Sequence, residues 1–268
     1  MNEDSNRRIE ENIQSYFKQY ELLRAIGKKQ EEKLGLVKDE YGSPAEITNL
    51  FISVLVRTFW SLGDFAISLK DSNNSAFASL PVRTAMEIAL KIEKLSKVDI
   101  GERHLIAVKE LLRIYARVYE LRLEKIGLES QDEDKILKGF KKYYNLLNGS
   151  LSRPFDEIDK VRPDNELHGF RRYREIIEDC FSKELSKSIY RSYQDLCESA
   201  HAGYMNILMR LSNDKGEYSR SLAHLIAACS LLLPPVDKIL YGKIQPETKE
   251  ALAIVQRLNQ RIRMQPPL

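Results

Sequence analysis

The stretch SPAEITNLFISVLVRTFWSLGDFAISLK, residues 43–70, decides the fold class. It opens with Ser43, Pro44 and, three residues after the serine, Glu46: a capping box with proline at the first helical position. The helix it starts is predicted to run to about Lys70, where Asp71, Ser72, Asn73 and Asn74 supply a turn. At 100° per residue, Glu46, Ser53, Arg57, Ser61, Asp64 and Ser68 fall in one narrow polar strip. Phe51, Ile52, Val54, Leu55, Val56, Phe59, Trp60, Leu62, Phe65 and Ile67 surround that strip, so most of the circumference must be buried. Arg57 and Asp64 interrupt the greasy run Ile47 to Leu69, which argues for a core helix over a membrane span.

The neighbouring segments read the same way. Upstream, a long helix from about Arg7 to Lys38 carries Ile9, Ile13, Tyr16, Phe17, Tyr20 and Leu23 on one face and is predicted to stop at Gly42. Downstream, Pro81 places a helix start near Ser79, and Arg83, Glu87, Lys91 and Lys94 share one side of a helix that is otherwise apolar to about Lys97. Further helices are predicted over Glu102 to Ile126, from Ser130 to Leu147, Glu166 to Phe181, Glu184 to Leu211 and Ser219 to Leu233, with a turn over Asn213 to Glu217. A last helix follows Pro246 and reaches Arg263. The segment Ser221 to Val236 carries no full charge, but Pro234 and Pro235 end it too early for it to cross a membrane. The expectation is an all-α bundle of roughly eight helices in a single domain, residues 1–268: a long N-terminal helix (1–42), a first helical group (43–149), a loop punctuated by Pro154 and Pro163 (150–165) and a second helical group (166–268).

Composition agrees. The 12 glycines and 9 prolines make up about 8% of the chain, against roughly 12% in average usage, and that scarcity of breakers favours long helices. The 42 Lys and Arg nearly balance 39 Asp and Glu, leaving a net charge of +3, too little for a domain-wide nucleic-acid coating. The surplus lies in residues 237–268, a modest basic end that reads as solvated. Cys180, Cys197 and Cys229 form no Cys-x-x-Cys pair, so no disulfide framework or zinc ribbon is encoded, and a reducing cytoplasm fits. Met1 to Glu11 is charged and lacks the apolar core of a signal peptide.

The polar strips admit two readings. In one, each is the solvated edge of a core helix, and Arg83, Glu87 and Lys91 form an ordinary surface ladder. In the other, consecutive helices turn their strips together, and Arg57 and Asp64 meet Glu87 and Arg83 in an inward polar slot where opposite charges satisfy one another. The Glu184 to Leu211 helix, whose apolar face carries Tyr193, would add Tyr190, Cys197, His201 and Tyr204 at the edge of that face. The candidate binding residues are therefore Arg57, Asp64, Arg83, Glu87, Tyr193 and His201. The run Leu80-Pro-Val-Arg-Thr-Ala-Met-Glu-Ile-Ala-Leu-Lys-Ile, followed by a helix leading from Tyr190 to His201, resembles an uncharacterised bacterial all-helical family over about residues 45–210. That resemblance implies a helical fold and singles out Arg83, Glu87 and His201, and it supplies no reaction.

Chemical motifs are sparse. There is no phosphate loop, no Gly-x-Ser-x-Gly elbow, no His-Glu-x-x-His and no dinucleotide fingerprint, so no cofactor and no catalytic residue is assigned. Glu198 and His201 form a single Glu-x-x-His step where a di-iron bundle needs two; with Glu87 they are the sole metal-ligand candidates, and no metal site is assigned. Arg162 and His168 match the spacing of HEPN-type helical ribonucleases, in which the arginine stabilises phosphate charge and the histidine moves a proton, although Pro163 stands where that family has a polar residue. The sequence is thus that of a cytoplasmic binding or interaction protein whose partner is a protein or small molecule rather than nucleic acid or membrane. The exposed-looking face of Ile13, Phe17 and Tyr20 would lie across the bundle or pair with a second copy. The alternatives are a metal-independent helical ribonuclease and a metal-binding bundle.

Overall fold

A computed structural model describes residues 3–35, 43–71, 75–125, 170, 172–200 and 214–263, and among these the regular structure is entirely helical. The helices are α1 (Glu3–Leu34), α2 (Pro44–Ser68), α3 (Ser79–Lys97), α4 (Ile100–Lys125), α5 (Tyr173–Cys180), α6 (Lys183–Ala200), α7 (Asp214–Tyr241) and α8 (Pro246–Arg263), with 3-10 turns at Leu69–Asp71 and Ser75–Ala78. The all-α expectation holds. The helix expected over Ser130 to Leu147 and the loop at 150–165 lie outside the described residues.

The chain forms two compact units, one of Met1–Leu36, Ser53–Lys97 and Tyr173–Leu268, the other of Val37–Ile52 and Val98–Arg172. In the first, α7 is the central element, packed most extensively on α3 and α1. It can be central because it presents a continuous apolar face along its length: Leu222, Leu225, Ile226, Cys229, Leu232, Leu233 and Val236 are all buried. Helix α8 packs on α1 and α7, and α5 and α6 pack on α3, so helices from both ends of the chain share one core. In the second unit, the capping box at the start of α2 forms as read: the Ser43 amide donates to Glu46 Oε2 (3.1 Å) and the Glu46 amide to Ser43 Oγ (3.3 Å). Asp99 caps α4 by accepting from the Glu102 amide (2.8 Å), and α4 buries Ile106, Ala107, Val108 and Leu112.

Several boundaries differ from the sequence reading: the helix expected from Glu166 starts at Tyr173, with Phe170 and Arg172 outside it, and three more concern α1 and α7. Helix α1 ends at Leu34, because Gly35 takes a left-handed φ of 75° and its amide turns back to the Glu32 carbonyl (3.2 Å). Helix α7 begins at Asp214, where a turn was expected; Tyr218 in its first turns is buried and donates to the Ala66 and Ile67 carbonyls at the end of α2 (3.2 and 2.9 Å). The same helix runs through Pro234 and Pro235 to Tyr241. The prolines remove two backbone N–H donors, but the buried Gln30 of α1 braces the helix beside them, donating to the Leu233 carbonyl (3.0 Å) and Asp237 Oδ1 (2.8 Å). Tertiary contacts override the local stop signal.

That continuation also removes the argument that the second apolar segment is too short for a span. Ala45–Ser68 and Lys215–Tyr241 are both long and apolar enough to cross a membrane by length and composition. In the fold, α7 is a core helix, whereas α2 buries Val56, Phe59, Trp60 and Ala66 and leaves Val54 and Phe65 exposed. On the α1 face that carries Ile13, Phe17 and Tyr20, Ile13 and Tyr20 are buried within the chain itself and Phe17 is half-buried.

Candidate functional site

The polar strips of α2 and α3 have different partners. Arg57 reaches back to the end of α1, its Nη2 donating to the Gly35 carbonyl (2.8 Å) and the Glu31 carbonyl (3.4 Å), its Nε to Ser53 Oγ (3.2 Å). A guanidinium at this position satisfies carbonyls that a helix end leaves unbonded and meets the negative end of the helix dipole. Asp64 faces the middle of α1: Oδ1 accepts from the Tyr20 hydroxyl (2.7 Å) and Oδ2 from Arg24 Nε (3.3 Å). Burial, reinforced by the hydrogen bond to Asp64, holds the Tyr20 phenol far above its ordinary pKa, so it remains a donor at any physiological pH.

Two glycines permit this approach. A Cβ on Gly63 would meet the Tyr20 hydroxyl at 2.5 Å, and one on Gly27 would overlap the Trp60 ring. The expected meeting of Arg57 and Asp64 with Glu87 and Arg83 therefore does not form. The reading paired helices adjacent in sequence, but α1 takes the α2 strip and α7 is the main partner of α3.

The α3 strip gathers a second cluster with α6. Arg83 Nε pairs with Glu87 Oε1 (3.2 Å), and the Tyr193 hydroxyl crosses from α6 to donate to the same oxygen (3.1 Å). The ring of Tyr173 from α5 lies against that of Tyr193, centroids 5.5 Å apart. The side chains of Arg83 and Glu87 are 25% and 19% exposed, neither sealed in the core nor fully wetted. Burial disfavours the charge on Arg83, but Cys197, Glu87 and Tyr193 outweigh it and raise its pKa. Burial, together with hydrogen bonds to Cys197 and Glu87, raises the Tyr193 phenol as well. Glu87 thus accepts two hydrogen bonds on Oε1, while Oε2 accepts from no described residue. Lower on the same strip Lys94 pairs with Asp179 of α5 (3.7 Å).

Of the six sequence candidates, Arg83, Glu87 and Tyr193 come together, Arg57 and Asp64 fasten α1, and His201 lies outside the described residues. Arg162 and His168, the ribonuclease pair, lie outside them too. Among the described residues no three His, Cys, Asp or Glu side chains converge as metal ligands, and Glu198 is exposed. His224 on α7 is mostly buried, with Nε2 3.8 Å from Asp195 of α6, and burial lowers its pKa.

Sequence reasoning missed the buried polar pair Gln30 and Asp237. The signal for Gln30 was its register: with Leu23 and Ile26 it continues the buried face of α1 at three- and four-residue steps. For Asp237 there was no local signal, since the expected end of its helix lay before it. No protein-family model, no curated protein and no solved structure matches this chain.

Proposed function

We propose that the chain is a binding module of the cytoplasm whose recognition site is the Arg83, Glu87 and Tyr193 cluster between α3 and α6. The observation that carries this reading is the state of Glu87. Its carboxylate is fixed from two sides on one oxygen, partly exposed, and its other oxygen accepts from no described residue. A carboxylate oriented in advance loses little freedom when a partner's N–H or O–H meets it, and that economy favours binding. The complementary partner, a protein or a small molecule, brings a hydrogen-bond donor to that oxygen, with the face of Tyr173 or Tyr193 beside it for an apolar or cationic neighbour.

The test is affinity capture by the full chain, with recovered proteins and small molecules quantified by mass spectrometry for wild type, Arg83→Ala and Glu87→Ala. Both substitutions lie on a partly exposed strip and are expected to leave the melting temperature within a few degrees of wild type. A species held by wild type and reduced about tenfold in both folded variants, a loss of about 1.4 kcal/mol of binding, supports the reading. Equal recovery by all three proteins returns the cluster to a packing role.

A further inference from the structure

The first unit carries another concavity, a groove bounded by α3, α6, α7 and α8 that encloses about 540 Å³. That volume is in the range of small-molecule sites, roughly 300–1,000 Å³. Its lining combines apolar side chains, Met86, Ile189 and Leu231 among them, with hydroxyls and amides, including Ser188 and Ser192 one turn apart on α6 and Asn259 on α8. Among the described residues that line it none is ionisable, although in a chain that is 30% charged thirteen such positions would ordinarily hold about four. An ionic ligand placed here would lose its hydration without gaining a counter-charge. The side chains of Ser188, Ser192 and Asn259 hydrogen-bond to no other described residue, so their donors and acceptors remain available.

We propose that this groove binds an uncharged amphipathic small molecule, its apolar body on Met86, Ile189 and Leu231 and a hydroxyl or carbonyl end among the α6 and α8 side chains. This site is separate from the Glu87 cluster and does not depend on it. The neutral lining selects for absence of charge, and the serine and amide groups select for one hydrogen-bonding end.

The experiment titrates the neutral fluorophore N-phenyl-1-naphthylamine into the full chain at about pH 8, where decanoate is ionised. The expected result is saturable binding at one site, competed by 1-decanol and about tenfold less effectively by decanoate. Ser192→Lys and Gln256→Glu each place a charge on the lining and are expected to weaken the fluorophore about tenfold while circular dichroism and melting temperature stay native. If one of them unfolds, the other decides. No saturable binding, equal competition by decanoate, or unchanged affinity in a folded variant overturns the proposal. So does concentration-dependent dimerisation that the same substitutions abolish, since the groove would then be filled by a second copy.

Discussion

Replacing Trp60 with alanine is expected to cost the protein about 3–5 kcal/mol, the range for an emptied aromatic site in a packed core. Trp60 is fully buried, and three neighbours are built around it. The rings of Tyr20 and Phe59 meet it edge-on, with centroids 6.0 and 5.0 Å away, and the Arg24 guanidinium sits 5.1 Å from its centre. Removing the indole therefore loosens the contact on which the Tyr20 to Asp64 hydrogen bond depends. Gly27 gives the converse test, because a methyl there overlaps the ring and overpacking of this kind costs about 1–3 kcal/mol. The two changes should not add: with the indole gone, Gly27→Ala meets empty space and becomes neutral or better, since alanine suits a helix interior by about 0.5–1 kcal/mol. Urea unfolding of wild type, both single variants and the double variant measures all of this. Additive losses would mean that α1 and α2 do not approach through this pair.

Asp237→Ala is expected to cost about 2–4 kcal/mol, the penalty for stranding buried donors. The side chain is 1% exposed and joins three helices, accepting from Gln30 Nε2 of α1 (2.8 Å) on one oxygen and from the Gln245 amide (2.9 Å), just ahead of Pro246 and α8, on the other. Alanine leaves the Gln245 N–H without this acceptor and deprives Gln30 of one of its two. Asp237→Asn keeps a single acceptor oxygen and turns an N–H₂ toward the other donor, so its loss should be close to that of alanine although its volume is native. Besides urea unfolding, amide exchange reads the mechanism. Protection should fall first at Gln245 and in the opening turn of α8, while the centre of α7 changes less. Uniform loss across α1, α3 and α7 would contradict the local role given to this carboxylate.

The class of fold was legible because the signals that set it are local. The capping box at Ser43 and Glu46, the late start at Ser79 imposed by Pro81, and the final helix from Pro246 all formed where residue spacing placed them. The two errors on α7 share one cause, which is that a tertiary partner outweighed a local signal, whereas the end of α1 is set locally by Gly35. Gln30 steadies a turn that Pro234 and Pro235 weaken, and Tyr218 anchors a first turn that resembled a loop. The site was half legible for the same reason. Arg83 and Glu87 are four residues apart on one helix, so their pairing followed from helix geometry. The destination of Arg57 and Asp64 depended on which helix lies alongside α2, and nothing in residues 43–70 reveals that α1 does. Tyr20 showed a faint sign, being a phenol on an apolar face whose hydroxyl needed an acceptor.

The α2 and α3 strips are two separate devices, one holding α1 in place and the other holding Glu87 oriented. Double-mutant cycles on unfolding free energy test that division most directly. Between Tyr20→Phe and Asp64→Ala the expected coupling is about 1 kcal/mol, the net worth of a hydrogen bond to a charged group at a half-exposed site. Between Asp64→Ala and Arg83→Ala additivity is expected within about 0.3–0.5 kcal/mol, as for residues that share no partner. A coupling of about 1 kcal/mol or more in the second cycle, with none in the first, would join the two strips in one slot and contradict the assignment.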